Sequence, residues 1–483
     1  MTLAPLALLV AALLPASPPQ INVVYPRPAS GESAIYIDRV DSNFVFGSVA
    51  PDSAVLSVNG VAASIQIGGA FLAFVPLDWQ ERVITLKAWS GSDTTAKRLS
   101  FNLRPAAPSP KQPGFPLPRR VMLTGGAART APNGAYYLFP DSGVIAFADR
   151  WQDGLFRLPL ALNRSVWIAQ DKVVDDGSAD PPKPQVVWKG ELTLNDRWEI
   201  LRLPLAQPTL YRVVDESPPE RLTLELFNAV SHLDRIHYPP GLEQIREVTW
   251  DQPLENVLRL EIALKGASWG YQTSWQDGEF HLSVRRPPRI GKKLQGLRIV
   301  IDPGHGGSQN GAIGPTGLKE KDVNLAASLT LAELLRKRGA DVSLTRFTDS
   351  TLGLAERVSL ADSFGADILV SLHHNALPDG VNPYADTLGP STRYYHPQSR
   401  RLAGAVQDEI VRALKLPDEG VYYDNLALAR PNFCLAILVE AAYIMLPEQE
   451  RLLRDPRYPD RLAGAIADGI AAFLKDETSS LSR

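Results

Sequence analysis

Over the first 290 residues, apolar and polar positions alternate in short runs broken by Gly, Asn and Asp. From about residue 296 the pattern changes to continuous apolar runs separated by stretches of helical periodicity. In residues 20–104, runs such as Asn43–Val49 and Ala54–Gly60 predict short strands at the spacing of a small β-sandwich. Residues 105–119 are proline-rich and read as a stiff spacer. Residues 120–175 hold further short strands, Tyr136–Phe139, Gly143–Ala148 and Ser165–Ala169, and with Arg129–Gly134 are similar to bacterial SH3-like modules. After a second proline-rich link at Asp180–Pro184, residues 185–288 again read as strands, ending in Phe280–Val284. Arg285–Arg289, basic and proline-containing, reads as a hinge, so the β-modules are expected to be held at a distance from the C-terminal third of the chain.

Beyond that hinge, strands alternate with helices, the pattern of an α/β layer fold. Arg298–Ile301, Ile368–Leu372 and Leu435–Val439 read as buried strands. Asp322 to Arg338 reads as an amphipathic helix with Val323, Ala326, Ala327, Leu331, Leu334 and Leu335 on one face, ended by Gly339. Further helices are expected at 352–364, 398–414 and 459–474. The predicted class is therefore multidomain: all-β N-terminal modules, then a C-terminal α/β domain over 296–476 with a mostly parallel central sheet flanked by helices.

The length of 483 residues suits three to four domains. The formal net charge of -3, with no basic stripe, argues against a nucleic-acid partner. The 40 prolines, concentrated before residue 290, favour short β-domains over long helices. A lone cysteine, Cys434, excludes an intrachain disulfide and a multi-cysteine zinc site, so any metal falls to His, Asp or Glu. Of the seven histidines, four lie after residue 300: His305, His373, His374 and His396. The apolar run within residues 1–17 has the length of a signal-peptide core and is too short to span a bilayer. It implies export to the periplasm or cell envelope, with no membrane span after cleavage.

Three polar residues stand just past the ends of the buried strands: His305, His373 and Glu440. In open α/β sheets ligands bind at the carboxyl ends of strands. Glu320, in the loop before the first helix, is within reach of the same crevice. The runs Ile299–Gly307, Gly317–Asn324, Val370–Asn375 and Leu438–Glu440 resemble the zinc-dependent N-acetylmuramoyl-L-alanine amidases of the third amidase family, over residues 297 to 474. The resemblance implies that His305, Glu320 and His373 bind Zn2+ and that Glu440 is the catalytic general base. It also implies that the substrate is peptidoglycan, cut between N-acetylmuramic acid and L-alanine during wall remodelling or daughter-cell separation. Residues 185–288 are similar to the β-sandwich modules that accompany envelope amidases, which implies a protein activator or division-site partner.

Asn324, on the first helical turn beside Glu320, is a candidate to orient that ligand, and Arg430 is a candidate to pair with a substrate carboxylate. His374 is expected to be structural, because neighbouring strand residues point to opposite faces. Arg357 also reads as structural. His396 is a minor candidate for a substrate contact, and the aromatics Trp269, Tyr271 and Trp275 read mainly as core, with stacking on sugars as the alternative. Two rivals remain: a zinc peptidase acting on the stem peptide, and a non-catalytic wall-binding protein.

Overall fold

The computed structural model describes residues 17–481 apart from Ser30, Ala107 and Lys292. The signal peptide expected at 1–17 thus lies, but for its last residue, outside the described residues. Residues 20–103 form sheets of three and five strands packed around Val45, Leu56, Phe71 and Leu86. Residues 119–175 form sheets of five and three strands, and residues 185–285 sheets of two, five and four. Alternation explains the burial: in Trp198–Pro204 every second residue is buried, as a strand with one covered face requires. The second and third modules share a core, since Leu210, Phe227 and Val257 pack with Val121, Phe156 and Ile168.

The C-terminal domain is built on a six-stranded sheet. Its strands are β1 (Arg298–Pro303), β2 (Asp341–Leu344), β3 (Ile368–Asn375), β4 (Ser391–Tyr394), β5 (Gly420–Tyr423) and β6 (Leu435–Tyr443), in the order β2-β1-β3-β6-β4-β5. Every pairing is parallel except β4 against β6. The helices are α1 (Glu320–Lys337), α2 (Leu354–Phe364), α3 (Arg400–Leu414), α4 (Pro447–Leu453) and α5 (Tyr458–Leu481). Ile299, Ile301, Val370 and Ile437 face one core with α1, α3 and α5, while Val300, Leu369 and Ala436 face a second core with α2. Two-sided burial is why these strands read as unbroken apolar runs.

Three boundaries differ from expectation in ways that matter for the site. Helix α1 begins at Glu320, not after it. Strands β3 and β6 run on through His373 and Glu440, so both residues sit in extended backbone rather than past its end.

The β-modules are not held at a distance. Arg285, only 2% exposed, forms an ion pair with Asp367 and donates to the carbonyls of Phe433 and Gly365, both at 3.0 Å. A charge pair this deep fixes geometry, because separating it would strand a buried charge. Trp269 packs into the C-terminal core against Phe473, and a Cβ on Gly270 would lie 2.6 Å from Phe433. Tyr271 is likewise buried, and Trp275 packs against Tyr211 and Phe280. The proline-rich spacer is docked too: Phe115 stacks on Phe156 with ring centroids 5.4 Å apart.

Candidate functional site

Strand β1 ends in Pro303, and the chain turns through Gly304, His305, Gly306 and Gly307. His305 takes a left-handed φ of 60°. Gly304 is required by contact: a Cβ there would lie 2.3 Å from Cε1 of His373. Two buried arginines hold this turn. Arg357 on α2 donates to Asp302 Oδ1 at 2.8 Å and to the carbonyls of Pro303 and His305 at 2.8 and 2.7 Å. Arg346, just after β2, donates to the carbonyls of Pro303 and Gly304, both at 2.9 Å. Asp302 also accepts from Ser371 at 2.7 Å and Thr345 at 2.5 Å. The position of His305 is therefore set by a satisfied polar network under the loop.

Glu320, the first residue of α1, is 3% exposed, and its carboxylate lies between two imidazoles. His305 Nε2 is 3.1 Å from Oε2, and His373 Nδ1 is 3.0 Å from Oε1. The backbone N–H groups of Ala312 and His374 donate to it at 2.8 and 3.1 Å. Burial disfavours its charge, but hydrogen bonds from His305 and His373 outweigh this and hold the carboxyl well below the usual carboxylate range. The helix N-terminus favours the same ionised form. Ligand atoms of His305, Glu320 and His373 all lie within 4.8 Å of one another, so the three could hold a metal ion. Two imidazole nitrogens and one carboxylate oxygen fit the donor set of a catalytic zinc with an open fourth position.

The structure brings Asn324 onto Glu320. Its Nδ2 donates to Oε1 at 3.2 Å and to the Gly304 carbonyl at 3.2 Å, while its Oδ1 lies 2.7 Å from His374 Nδ1. Because the Asn324 amide nitrogen is spent on acceptors, its oxygen must accept, so His374 carries its proton on Nδ1. The other ring nitrogen, Nε2, then accepts from the Tyr458 hydroxyl at 2.7 Å. Burial lowers the His374 pKa to about 4, which keeps the ring neutral. Tyr458, fully buried at the start of α5, had no signal in the sequence: a lone tyrosine beside a proline reads as surface or core alike.

Glu440 pairs with His373 across the β3–β6 ladder, so both side chains leave the sheet on the same side, opposite His374. Its Oε2 is buried with no hydrogen-bond partner among the described residues. Burial raises its pKa to about 7, an effect reduced by His373 and reinforced by Glu320.

Arg430 is not brought to this cluster. It precedes β6, at the opposite end of that strand, where Nε donates to Asn425 at 2.6 Å and the guanidinium lies 4.8 Å from the ring centre of Phe139 in the second module. His396 is beside it, half-buried, with Nε2 2.9 Å from the Arg430 carbonyl. The sequence signal misled because the loop before β6 enters at the amino end of the sheet.

Comparison with known proteins gives this domain a family. The family model for N-acetylmuramoyl-L-alanine amidase matches residues 299–472. The chain is 33% identical over 183 residues to the uncharacterized protein YqiI of Bacillus subtilis, covering 37% of this chain and 86% of that one. It is 35% identical over 198 residues to the N-acetylmuramoyl-L-alanine amidase LytC of the same organism, covering 40% of this chain and 39% of LytC. Among solved structures, the amidase AmiC2 of Nostoc punctiforme is 34% identical, with 38% of this chain and 99% of that chain covered and a TM-score of 0.35. The chain belongs to the N-acetylmuramoyl-L-alanine amidase family and carries the amidase domain of that family in its C-terminal third.

Proposed function

We propose that the protein is an exported, zinc-dependent amidase that hydrolyses the bond between the lactyl carbonyl of N-acetylmuramic acid and L-alanine in peptidoglycan. His305, Glu320 and His373 would hold the zinc. When bound, zinc supplies Lewis acidity to the scissile carbonyl and to the attacking water. Glu440 takes the proton from that water at its unpartnered Oε2 and delivers it to the amine of L-alanine as the C–N bond breaks. A buried carboxylate oxygen with no other hydrogen-bond partner among the described residues is free for both halves of this transfer. Asn324 and His374 keep Glu320 oriented, and the Arg346 and Arg357 contacts keep His305 in place.

One observation carries the reading. Two imidazoles and a buried carboxylate converge while a second carboxylate, with a free oxygen, stands across the ladder from one of them. The relatives' wall activity supports placement in the cell envelope. Among the described residues no helix is long and apolar enough to cross a membrane. The docked modules, SH3-like at 120–175 and sandwich-like at 185–288, would serve wall binding or an activating partner. Mass spectrometry of digested peptidoglycan tests the reaction. Free lactyl carboxylates with free L-alanine amino termini are expected. New termini within the stem peptide would replace the amidase reading with a peptidase one.

A further inference from the structure

The first β-module closes directly on the C-terminal domain. Phe44, Phe46 and Leu72 pack against Tyr443, Met445 and Leu446. Asn43 donates to Asp379 Oδ1 at 3.1 Å and accepts from the Gly380 N–H at 3.1 Å, the Tyr25 hydroxyl also donates to Asp379, and Tyr384 donates to the Leu72 carbonyl at 2.8 Å. These contacts pin the irregular loop 376–390, which comes after β3, to the module.

Between the module and the loop after β1 lies a groove of about 460 Å³. On the C-terminal side it is lined by Gly311, Ala312 and Ile313. Gly311 abuts the proposed metal ligands themselves: a Cβ there would lie 2.3 Å from Glu320 Oε2 and 2.7 Å from His305 Cδ2. Gly311 thus borders the groove and also packs on two residues of the His305–Glu320–His373 cluster, so the groove and the cluster are neighbours. The groove's volume is that of a small-ligand site. The floor is apolar, with Val24, Leu377 and Met445 among its residues, and its rim is charged. On that rim Arg104 is neutralised by Asp38 at 2.8 Å, whereas Arg27 and Glu32 are exposed and make no ion pair among the described residues.

We propose that the first module forms the second wall of the substrate groove, and that it holds the peptide on the leaving-group side of the scissile amide, with Arg27 pairing a peptide carboxylate. This rests on the amidase reading above. A peptide is the occupant that fits: it offers methyl-sized apolar groups to the floor and ionised groups of both signs to Arg27 and Glu32. A sugar chain would need open aromatic faces, but Tyr25, Phe44 and Phe46 are packed on one another with centroids 5.0 to 6.0 Å apart.

The test uses the full chain loaded with zinc and soluble muramoyl substrates bearing one or three peptide residues. Specificity is read as the ratio of kcat/KM for the longer over the shorter. Arg27→Glu lowers this ratio about fivefold, mainly through KM for the longer substrate, as expected for losing and reversing one exposed charge pair. Arg27→Lys keeps most of it. Arg27 is exposed and belongs to none of the hydrophobic cores, so misfolding does not confound the result. A ratio unchanged in Arg27→Glu overturns the proposal. So does an effect of Arg27→Glu that, in a parallel pair of substrates with one and two sugars and the same peptide, tracks the number of sugars, which would make the groove a glycan site. If the unmodified chain cleaves neither substrate, the amidase reading itself fails; if it cleaves both while the ratio ignores Arg27, only the groove assignment fails.

Discussion

Glu440→Gln separates proton transfer from metal binding. The substitution keeps the shape of the side chain and removes its ability to accept a proton. Loss of a general base costs about 10²–10⁴ in rate, roughly 3–5 kcal/mol of barrier. Because Glu440 is outside the His305–Glu320–His373 set, zinc content should be unchanged. Its burial has a second consequence. In the metal-free protein its pKa stands at about 7 against 4.5 when unperturbed. Between these values the folded state holds more protons than the unfolded one, so stability falls as pH rises through the window and the full penalty is present above pH 7. The penalty is on the order of 3 kcal/mol. Glutamine does not titrate. Metal-free wild type and Glu440→Gln should therefore melt alike near pH 4, while at pH 8 the variant melts roughly 5–10 °C higher. Steady-state kinetics on a soluble muramoyl peptide, elemental zinc analysis and calorimetry at both pH values read the three effects. Zinc loss in the variant, or activity within tenfold of wild type, refutes the assignment of Glu440 as the base.

Three further outcomes are expected. Gly304→Ala drives a methyl into the His373 ring and should lower zinc occupancy with little effect on secondary structure, as measured by metal analysis and circular dichroism. Arg357→Ala strands the buried Asp302 and removes the hydrogen bonds to the Pro303 and His305 carbonyls, and should cost about 3–5 kcal/mol, readable by denaturant unfolding. Arg285→Ala leaves Asp367 without its most buried partner and should loosen the third module from the amidase domain, seen as faster proteolysis near residues 286–296.

Much of the site could be read in the sequence because its residues stand at strand ends or one helical turn apart. His305, His373 and Glu440 each come after an apolar run, and Glu320 and Asn324 are spaced i, i+4, which places them on one face of α1. The supporting contacts were out of reach because they come from distant segments. His374 meets Tyr458, 84 residues on, and the His305 turn rests on Arg346 and Arg357. Arg285 shows the opposite error. Next to Arg286 and two prolines it has the composition of an exposed hinge, and only its partner Asp367, 82 residues later, makes it a buried anchor. Local composition reports exposure poorly where one module covers another.

Titrating zinc into the metal-free 483-residue chain, while counting lactyl carboxylates released from peptidoglycan, tests the central claim most directly. Cleavage should rise in proportion to bound zinc, saturate at one ion per chain, and fail to rise in His305→Ala and His373→Ala. Cleavage by the metal-free chain, or full zinc binding in both variants, would contradict it.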